Sequence, residues 1–118
     1  QCLYCVVAHG AILRIYEKSS SISEEIAVNY RKADISVRQK VMLDFAVKIC
    51  NSAHEVTDSD FASLHKHGFS DDDIWDIGAI TAFFALSNRM ANLTSMQPNP
   101  EFYGLGRDFS LSPSPKIK

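Results

Sequence analysis

The chain has 118 residues, enough for one small domain, and an ordinary globular composition of 46% hydrophobic and 22% charged residues. A net charge of −2 offers no basic surface for nucleic acid, and no apolar run reaches the roughly 20 residues of a membrane-spanning helix. Three cysteines are too few for a typical secreted disulfide framework. We therefore expect a cytoplasmic protein with neither nucleic acid nor membrane as a partner.

Apolar residues at helical spacing predict three helices in the first half of the chain. The first runs from about Leu3 to Lys18 and stops at a serine cluster. The second is short, from a capping Ser23 to about Lys32, with two glutamates in its first turn, where the helix dipole favours anions. Ser36, with Gln39 three residues later, predicts a capping box and a third helix through about Ser52.

Two further helices are predicted in the second half. Thr57 begins a short helix that ends at Gly68, a residue suited to the left-handed conformation that stops a helix. Ser70 precedes the longest helix, from Asp71 to about Leu93. The middle of this helix is apolar on almost every side, so we expect it to be buried at the centre of the fold.

The pattern as a whole predicts an all-α fold, since nothing shows the period-two alternation of a strand. We expect one helical domain over residues 1–109 and a flexible Ser/Pro-rich tail at 110–118. The sequence starts at Gln1 without an initiator methionine. We therefore expect that something was removed upstream or that this is part of a longer protein.

Cys2, Cys5 and His9 form the chemically most suggestive pattern, Cys-x-x-Cys-x-x-x-His. Steps of three and four residues return to the same face of a helix, so all three side chains can project into one pocket. Thiolates are stabilised near a helix N-terminus and beside an imidazole, and two such thiols can close a disulfide after one is oxidised. Spacing alone leaves redox chemistry, a metal site and purely structural cysteines all open. No fourth ligand follows at the spacing of a zinc ribbon or finger, so we expect neither metal nor cofactor.

Other residues have a structural interpretation beside a functional one. Cys50 is expected to be a buried apolar cysteine rather than an extra redox thiol. Asp44 and Lys48, four residues apart, predict an ion pair on the solvent side. Asn88 and Arg89 could reach the thiol pocket or a subunit contact, or could be ordinary polar residues near a helix end. Three aromatic residues of the longest helix are expected in the core rather than in a substrate pocket: Trp75, Phe83 and Phe84.

The residues around the cysteines resemble a known family. CLYCVVAHG at 2–10 is similar to the active-site signature of the alkylhydroperoxidase D-like branch of the carboxymuconolactone decarboxylase family, in particular its uncharacterised peroxidase-related proteins. The resemblance continues in order to about Arg107, through YRKADIS at 30–36, LDFAVK at 43–48, HEVT at 54–57, GFSDDDIWD at 68–76, FFALSNRMAN at 83–92 and PEFY at 100–103.

The resemblance implies an all-α domain, here without the family's N-terminal helices, that assembles as a homo-oligomer: a dimer, trimer or hexamer with its active site near subunit contacts. It implies a peroxide substrate attacked by Cys5, resolution by Cys2 as a disulfide, and a proton relay that includes His9. An external dithiol would reduce the disulfide again. The family's relay also uses a glutamate about a dozen residues before the first cysteine, which this sequence does not contain.

Three functions stay open at this point. The first, a thiol-dependent hydroperoxide reductase, is the function that we predict. The second is the lactone decarboxylation of the parent family, which proceeds without a cysteine pair. The third is a non-catalytic oligomerising helical module or a redox sensor, in which the two cysteines form a disulfide without turning over peroxide.

Overall fold

The computed structural model describes residues 2–107, which form five α-helices, two 3₁₀ turns and no strand. The α-helices are α1 (Leu3–Glu17), α2 (Ile22–Asn29), α3 (Val37–Ser52), α4 (Asp58–Lys66) and α5 (Asp71–Leu93). The 3₁₀ turns are Ala53–Glu55 and Pro100–Tyr103. The predicted all-α class is confirmed, and the predicted tail at 110–118 lies outside the described residues. None of the described helices is both long and apolar enough to cross a bilayer.

Side-chain caps begin three of the helices as predicted. The Ser36 hydroxyl accepts a hydrogen bond from the backbone N–H of Gln39, whose side-chain oxygen accepts one from the Ser36 N–H. Equivalent capping boxes start α4 at Thr57 and α5 at Ser70. These reciprocal bonds satisfy amide groups that a helix N-terminus otherwise leaves unpaired, so short polar motifs fix where the helices begin.

The second helix differs from its prediction. Helix α2 begins at Ile22 and ends at Asn29, with no side-chain cap at Ser21. Ser23, the predicted cap, lies inside the helix and is buried, and its hydroxyl accepts a hydrogen bond from Arg14. The prediction failed because a tertiary partner binds this hydroxyl instead of the local backbone.

Two separate groups of buried apolar residues hold the helices together. The larger joins α3, α4 and α5 through Phe45, Leu64, Phe69 and Ile74. The smaller joins α1 to the C-terminal end of α5 through Cys2, Cys5 and Ala91. Helix α5 therefore links both groups, with a different end in each.

The expected burial of α5 and of its aromatic residues is wrong for the described chain. Only Ile74 and Ala91 of this helix are buried, and the side chain of Trp75 is 77% exposed. Phe83 is also exposed, and Phe84 is half-buried against α1. Helix α5 is apolar on several sides, but the described elements pack against only one of them.

The predicted ion pair between Asp44 and Lys48 is also wrong. Asp44 instead accepts hydrogen bonds from the Arg31 guanidinium and, at 2.6 Å, from the Tyr30 hydroxyl. Lys48 pairs with Asp60 of α4 at 2.7 Å. Asp44 and Lys48 thus each pair with a residue of another segment instead of with each other.

Arg14 is the most deeply buried charged residue among those described, at 3% exposure. Its guanidinium donates hydrogen bonds to the carbonyl oxygens of Leu105 and Phe102, at 2.9 and 3.0 Å, and to the Ser23 hydroxyl at 2.9 Å. Burial lowers the pKa of the Arg14 guanidinium, the charge of Arg107 lowers it further, and Glu24 opposes both. Arg14 thus ties α1 to α2 and to the segment that follows α5.

The close approach of these segments depends on two glycines. A Cβ atom at Gly10 would lie 3.2 Å from the Cβ of Ser23, so α1 and α2 meet where α1 has no side chain. Gly106 has a φ of +73°, and a Cβ there would lie 2.7 Å from the Cβ of Arg14. A larger residue at either position would push the Arg14 partners away.

Replacing Arg14 should destabilise the fold. We expect Arg14→Met, which keeps an unbranched apolar side chain but removes the guanidinium, to lower the free energy of unfolding by about 2–4 kcal/mol, because two carbonyl groups and one hydroxyl lose a charged donor. The measurement is urea denaturation followed by circular dichroism. Arg31→Met is the matched control: Arg31 is exposed and pairs with Asp44 at the surface, so its loss should destabilise the fold much less than the loss of Arg14. Equal effects of the two substitutions would contradict the structural role of Arg14.

Candidate active site

The two cysteines of the motif lie at the start of α1 and are joined as a disulfide. Cys2 is the N-cap residue, and its sulfur accepts a hydrogen bond from the backbone N–H of Cys5 at 3.2 Å. The Cα atoms are 5.3 Å apart, and the sulfur atoms lie within bonding distance. Because Cys2 is extended and Cys5 is in the first helical turn, the change of backbone direction at the cap brings the two side chains together.

This position favours thiolate chemistry. The first amide groups of a helix point toward its N-terminus and have no partner within the helix, which gives that end a partial positive charge. A sulfur at the N-cap or in the first turn is stabilised as an anion by these groups, which lowers the pKa of a thiol placed there. α1 has no acidic residue in its first turn to offset this effect.

Both cysteines are shielded from solvent in the described chain. Cys2 is 6% and Cys5 is 8% exposed, and Ala91 of α5 completes their buried cluster, with Tyr4 packed against it. The small side chain of Ala91 lets α5 approach the start of α1 closely. The disulfide is thus covered on one side by a helix from the other end of the chain.

His9 lies one helical turn beyond Cys5 and is exposed. Its ring packs edge-on against the ring of Phe84, with the centroids 4.8 Å apart. Within residues 2–107, His9 forms no hydrogen bond with either cysteine. The structure therefore brings Cys2 and Cys5 into contact and places His9 beside them on the same α1–α5 interface.

Asn88 lies on the face of α5 that carries Phe84 and Ala91. Its side-chain oxygen Oδ1 is buried and has no hydrogen-bond partner among the described residues. A buried acceptor without a donor costs on the order of 1–3 kcal/mol. The sequence placed Asn88 among the residues that could reach the thiols, and the structure puts it on the helix face that contacts them.

Two of the other histidines, His65 and His67, have local contacts. Nε2 of His65 lies 2.8 Å from a carboxylate oxygen of Asp71, and Nδ1 of His67 lies 2.8 Å from the carbonyl oxygen of Ser63. Across residues 2–107, no group of three or more His, Cys, Asp or Glu side chains is arranged to hold a metal ion.

A separate apolar groove lies between α3 and α5, far along α5 from the cysteines. It has a volume of about 560 Å³ and is lined by apolar side chains that include Phe45, Ile49, Phe61, Ile74 and Trp75. The cysteines and His9 are not among its lining residues. Trp75, expected in the core, is in fact part of this open surface.

The sequence led to a wrong prediction for Cys50 and to no prediction for Arg14. Cys50 was expected to be buried, but it is an exposed free thiol near the end of α3, on the side that no described element covers. Arg14 was not singled out at all. Its signal was a lone arginine within the apolar run of the first helix, between Leu13 and Ile15.

Comparison with known proteins finds several similar solved structures, among them two crystal structures of peroxidase-related proteins. An uncharacterised peroxidase-related protein from Ralstonia eutropha JMP134, described as an alkylhydroperoxidase AhpD core, is 64% identical with a TM-score of 0.90, over 92% of this chain and 57% of that one. An uncharacterised peroxidase-related protein from Silicibacter sp. TM1040 is 45% identical with a TM-score of 0.87, over 90% of this chain and 56% of that one. The chain thus spans just over half the length of either protein. No family profile and no curated protein matches the sequence.

The exposure of Cys50 predicts how many thiols the folded, oxidised protein presents. We expect one reactive thiol per chain with a disulfide-exchange reagent under native conditions, because Cys2 and Cys5 are bonded to each other. The measurement is a thiol titration without denaturant, and Cys50→Ser should reduce the count to zero. A thiol that reacts only after denaturation would contradict the exposed position of Cys50.

Proposed function

Because the chain belongs to the peroxidase-related family built on the alkylhydroperoxidase AhpD core, we propose that it is a thiol-dependent hydroperoxide reductase working through Cys2 and Cys5. The observation that carries the proposal is the placement of the two sulfur atoms within bonding distance at the N-terminus of a helix. That position favours thiolate, and the short separation lets one sulfur resolve the oxidised form of the other.

In the proposed reaction, the Cys5 thiolate attacks one oxygen of the peroxide O–O bond. The bond breaks, the other oxygen leaves as alcohol or water after taking up a proton, and Cys5 becomes a sulfenic acid. The Cys2 thiolate then attacks the Cys5 sulfur and releases water, which forms the disulfide. An external dithiol returns two electrons and two protons to the pair and is itself oxidised to a disulfide.

Position supports Cys5 as the attacking residue. Cys5 lies in the first turn of α1, and His9 is four residues further along the same helix face. An imidazole at that spacing can take the thiol proton and deliver it to the leaving oxygen. Cys2, at the cap, needs only to reach the Cys5 sulfur, which it already does in the disulfide.

The proposal includes assembly with other copies of the chain. Large apolar side chains are exposed along α5, among them Trp75, Phe83 and Leu86. Contiguous apolar surface of this kind is typical of a surface that another protein or another part of the same protein covers. We propose a homo-oligomer (dimer, trimer or hexamer) in the cytoplasm, with a peroxide as substrate and an external dithiol as reductant.

A redox sensor or non-catalytic oligomerising module is the second candidate function. It is favoured by one observation: both cysteines are at least nine-tenths shielded, while His9 has no hydrogen bond to either of them within the described chain. A buried pair of this kind suits slow, occasional oxidation better than rapid turnover. The parent family's lactone decarboxylation is less suited to the site, because its chemistry does not use a cysteine pair.

The first test is a peroxide titration of the reduced protein. We expect one equivalent of cumene hydroperoxide to remove two thiols and lower the intact mass by two hydrogen atoms, with peptide mapping placing the new disulfide at Cys2 and Cys5. Cys5→Ser should abolish both changes. Cys2→Ser should allow one oxidation and then stop at the sulfenic acid or more oxidised forms.

Three outcomes of this experiment separate the candidate functions. Repeated turnover with a dithiol present indicates a reductase, and a single slow oxidation without turnover indicates a sensor. An unchanged thiol count in the folded wild-type protein would exclude redox chemistry of the pair with this peroxide. Cys50→Ser serves as the control, because an exposed cysteine outside the pair should not affect the reaction.

Removing the imidazole should slow the reaction near neutral pH. We expect His9→Ala to raise the pKa of the Cys5 thiol and to shift the rise of the peroxide reaction rate to higher pH, with a loss of about 10²-fold at neutral pH. The measurement is the second-order rate of thiol loss as a function of pH. His54→Ala is the matched control, since His54 is exposed in the Ala53–Glu55 turn. An unchanged pH profile in His9→Ala would contradict the proposed role of His9 in proton transfer.

A further inference from the structure

Two contacts, one at each end of the interface between α1 and α5, define the register, that is, how the two helices are aligned. At one end, the ring of His9 packs against the ring of Phe84. At the other end, Cys2 and Cys5 share a buried cluster with Ala91. Going forward along α5 therefore means going backward along α1, so the two helices run antiparallel through the site.

This register places Asn88 opposite Cys5. Phe84 and Asn88 are four residues apart, and so are His9 and Cys5. The next steps, from Asn88 to Ala91 and from Cys5 back to Cys2, are three residues each. Both helices rise about 1.5 Å per residue, so equal steps cover equal distances. Asn88 lies on the same face of α5 as the two contacts that set the register.

The side chain of Asn88 has an unused hydrogen-bonding group at this interface. Its Oδ1 atom is buried and accepts no hydrogen bond from any of residues 2–107. In the disulfide form, the Cys5 sulfur is bonded to Cys2 and carries no hydrogen to donate. In the dithiol form, the Cys5 S–H becomes a donor, so reduction supplies the partner that Oδ1 lacks.

We propose that Asn88 is the hydrogen-bond partner of Cys5 in the reduced protein and that it shifts the Cys2–Cys5 couple toward the dithiol. The inference deepens the proposed function and rests on it for the redox activity of this pair. When an external dithiol breaks the S–S bond, two electrons and two protons pass to Cys2 and Cys5, and the reductant closes its own disulfide. The new Cys5 S–H then donates to Oδ1 of Asn88.

The amide of Asn88 also suits the next step. When Cys5 loses its proton before attacking peroxide, a half-turn of the amide about its last rotatable bond brings Nδ2 toward the sulfur. The N–H groups there can donate to the thiolate, because an Asn side chain carries both an acceptor and two donors. One residue therefore binds both protonation states of reduced Cys5 and neither sulfur of the disulfide.

The redox equilibrium of Asn88→Leu tests the proposal. Leu has a similar volume and no polar group, so the disulfide no longer faces an unpaired acceptor and the dithiol loses a hydrogen bond. We expect the equilibrium constant for reduction by dithiothreitol to fall about tenfold, which is about 30 mV for a two-electron couple. The measurement is a thiol count across a series of redox buffers, with Cys50→Ser in every variant. Asn51→Leu, an exposed position in α3, is the matched control and should leave the equilibrium unchanged.

Asn88→Asp provides a second measurement if the Leu variant does not fold. A carboxylate of nearly the same shape opposite Cys5 should raise the pKa of its thiol, because like charges disfavour thiolate. The readout is the ultraviolet absorbance of thiolate as a function of pH, in a background of Cys2→Ser and Cys50→Ser. An unchanged titration would show that the side chain at position 88 does not face Cys5.

The proposal is overturned if the redox equilibrium of Asn88→Leu stays within twofold of its parent protein, or if the thiol titration of Asn88→Asp does. Neither measurement uses peroxide. If reduced wild-type protein does not react with peroxide, the hydroperoxide reductase fails, while shifts in these two measurements still support the role of Asn88. If the shifts are absent but peroxide is consumed, only the role of Asn88 fails.

Discussion

The buried guanidinium of Arg14 must be hydrogen-bonded on several sides at once, and three parts of the chain supply its partners. Ser23 comes from α2, and the carbonyl groups of Leu105 and Phe102 come from the segment after α5. A charge in such a place is tolerated only when these partners are held in position. Arg107 adds an ion pair with Glu24 of α2 at the edge of the same cluster. The orientation of α1, and so of the cysteines at its start, follows from this requirement.

The candidate active site lies at the N-terminal end of α1, whereas Arg14 lies near the C-terminal end of the same helix. The free amide groups at the N-terminus of α1 favour anionic sulfur, while the packing of Ala91 keeps water away from the two cysteines. These two effects act in opposite directions on a thiol, because burial disfavours its charged form. Polar groups at the α1–α5 interface can decide which of these two effects on the thiol pKa is larger. His9 and Asn88 are the two described residues that the register places there.

The described residues leave much apolar surface open, chiefly along α5. Its large side chains point away from the α3–α4 core, and the groove beside Trp75 is not filled. This chain covers 57% and 56% of the two similar crystal structures, so the fold shared with them is only part of those proteins. A helix that is apolar on several sides but covered on only one is stabilised when other protein surface covers its remaining apolar sides.

The five helices, the N-terminal caps of three of them, the Gly68 stop and the spacing of Cys2 and Cys5 were predictable from the sequence, because these features depend on residues three or four apart along one segment. Tertiary structure decided everything that depends on which segments meet. It moved Ser23 from a helix cap to a partner of Arg14, gave Asp44 and Lys48 partners in other segments, and left Cys50 exposed. It also buried the side-chain oxygen of Asn88 without a hydrogen-bond partner among the described residues. Local spacing fixes which face of a helix a residue occupies, whereas only packing between distant segments fixes what that face contacts.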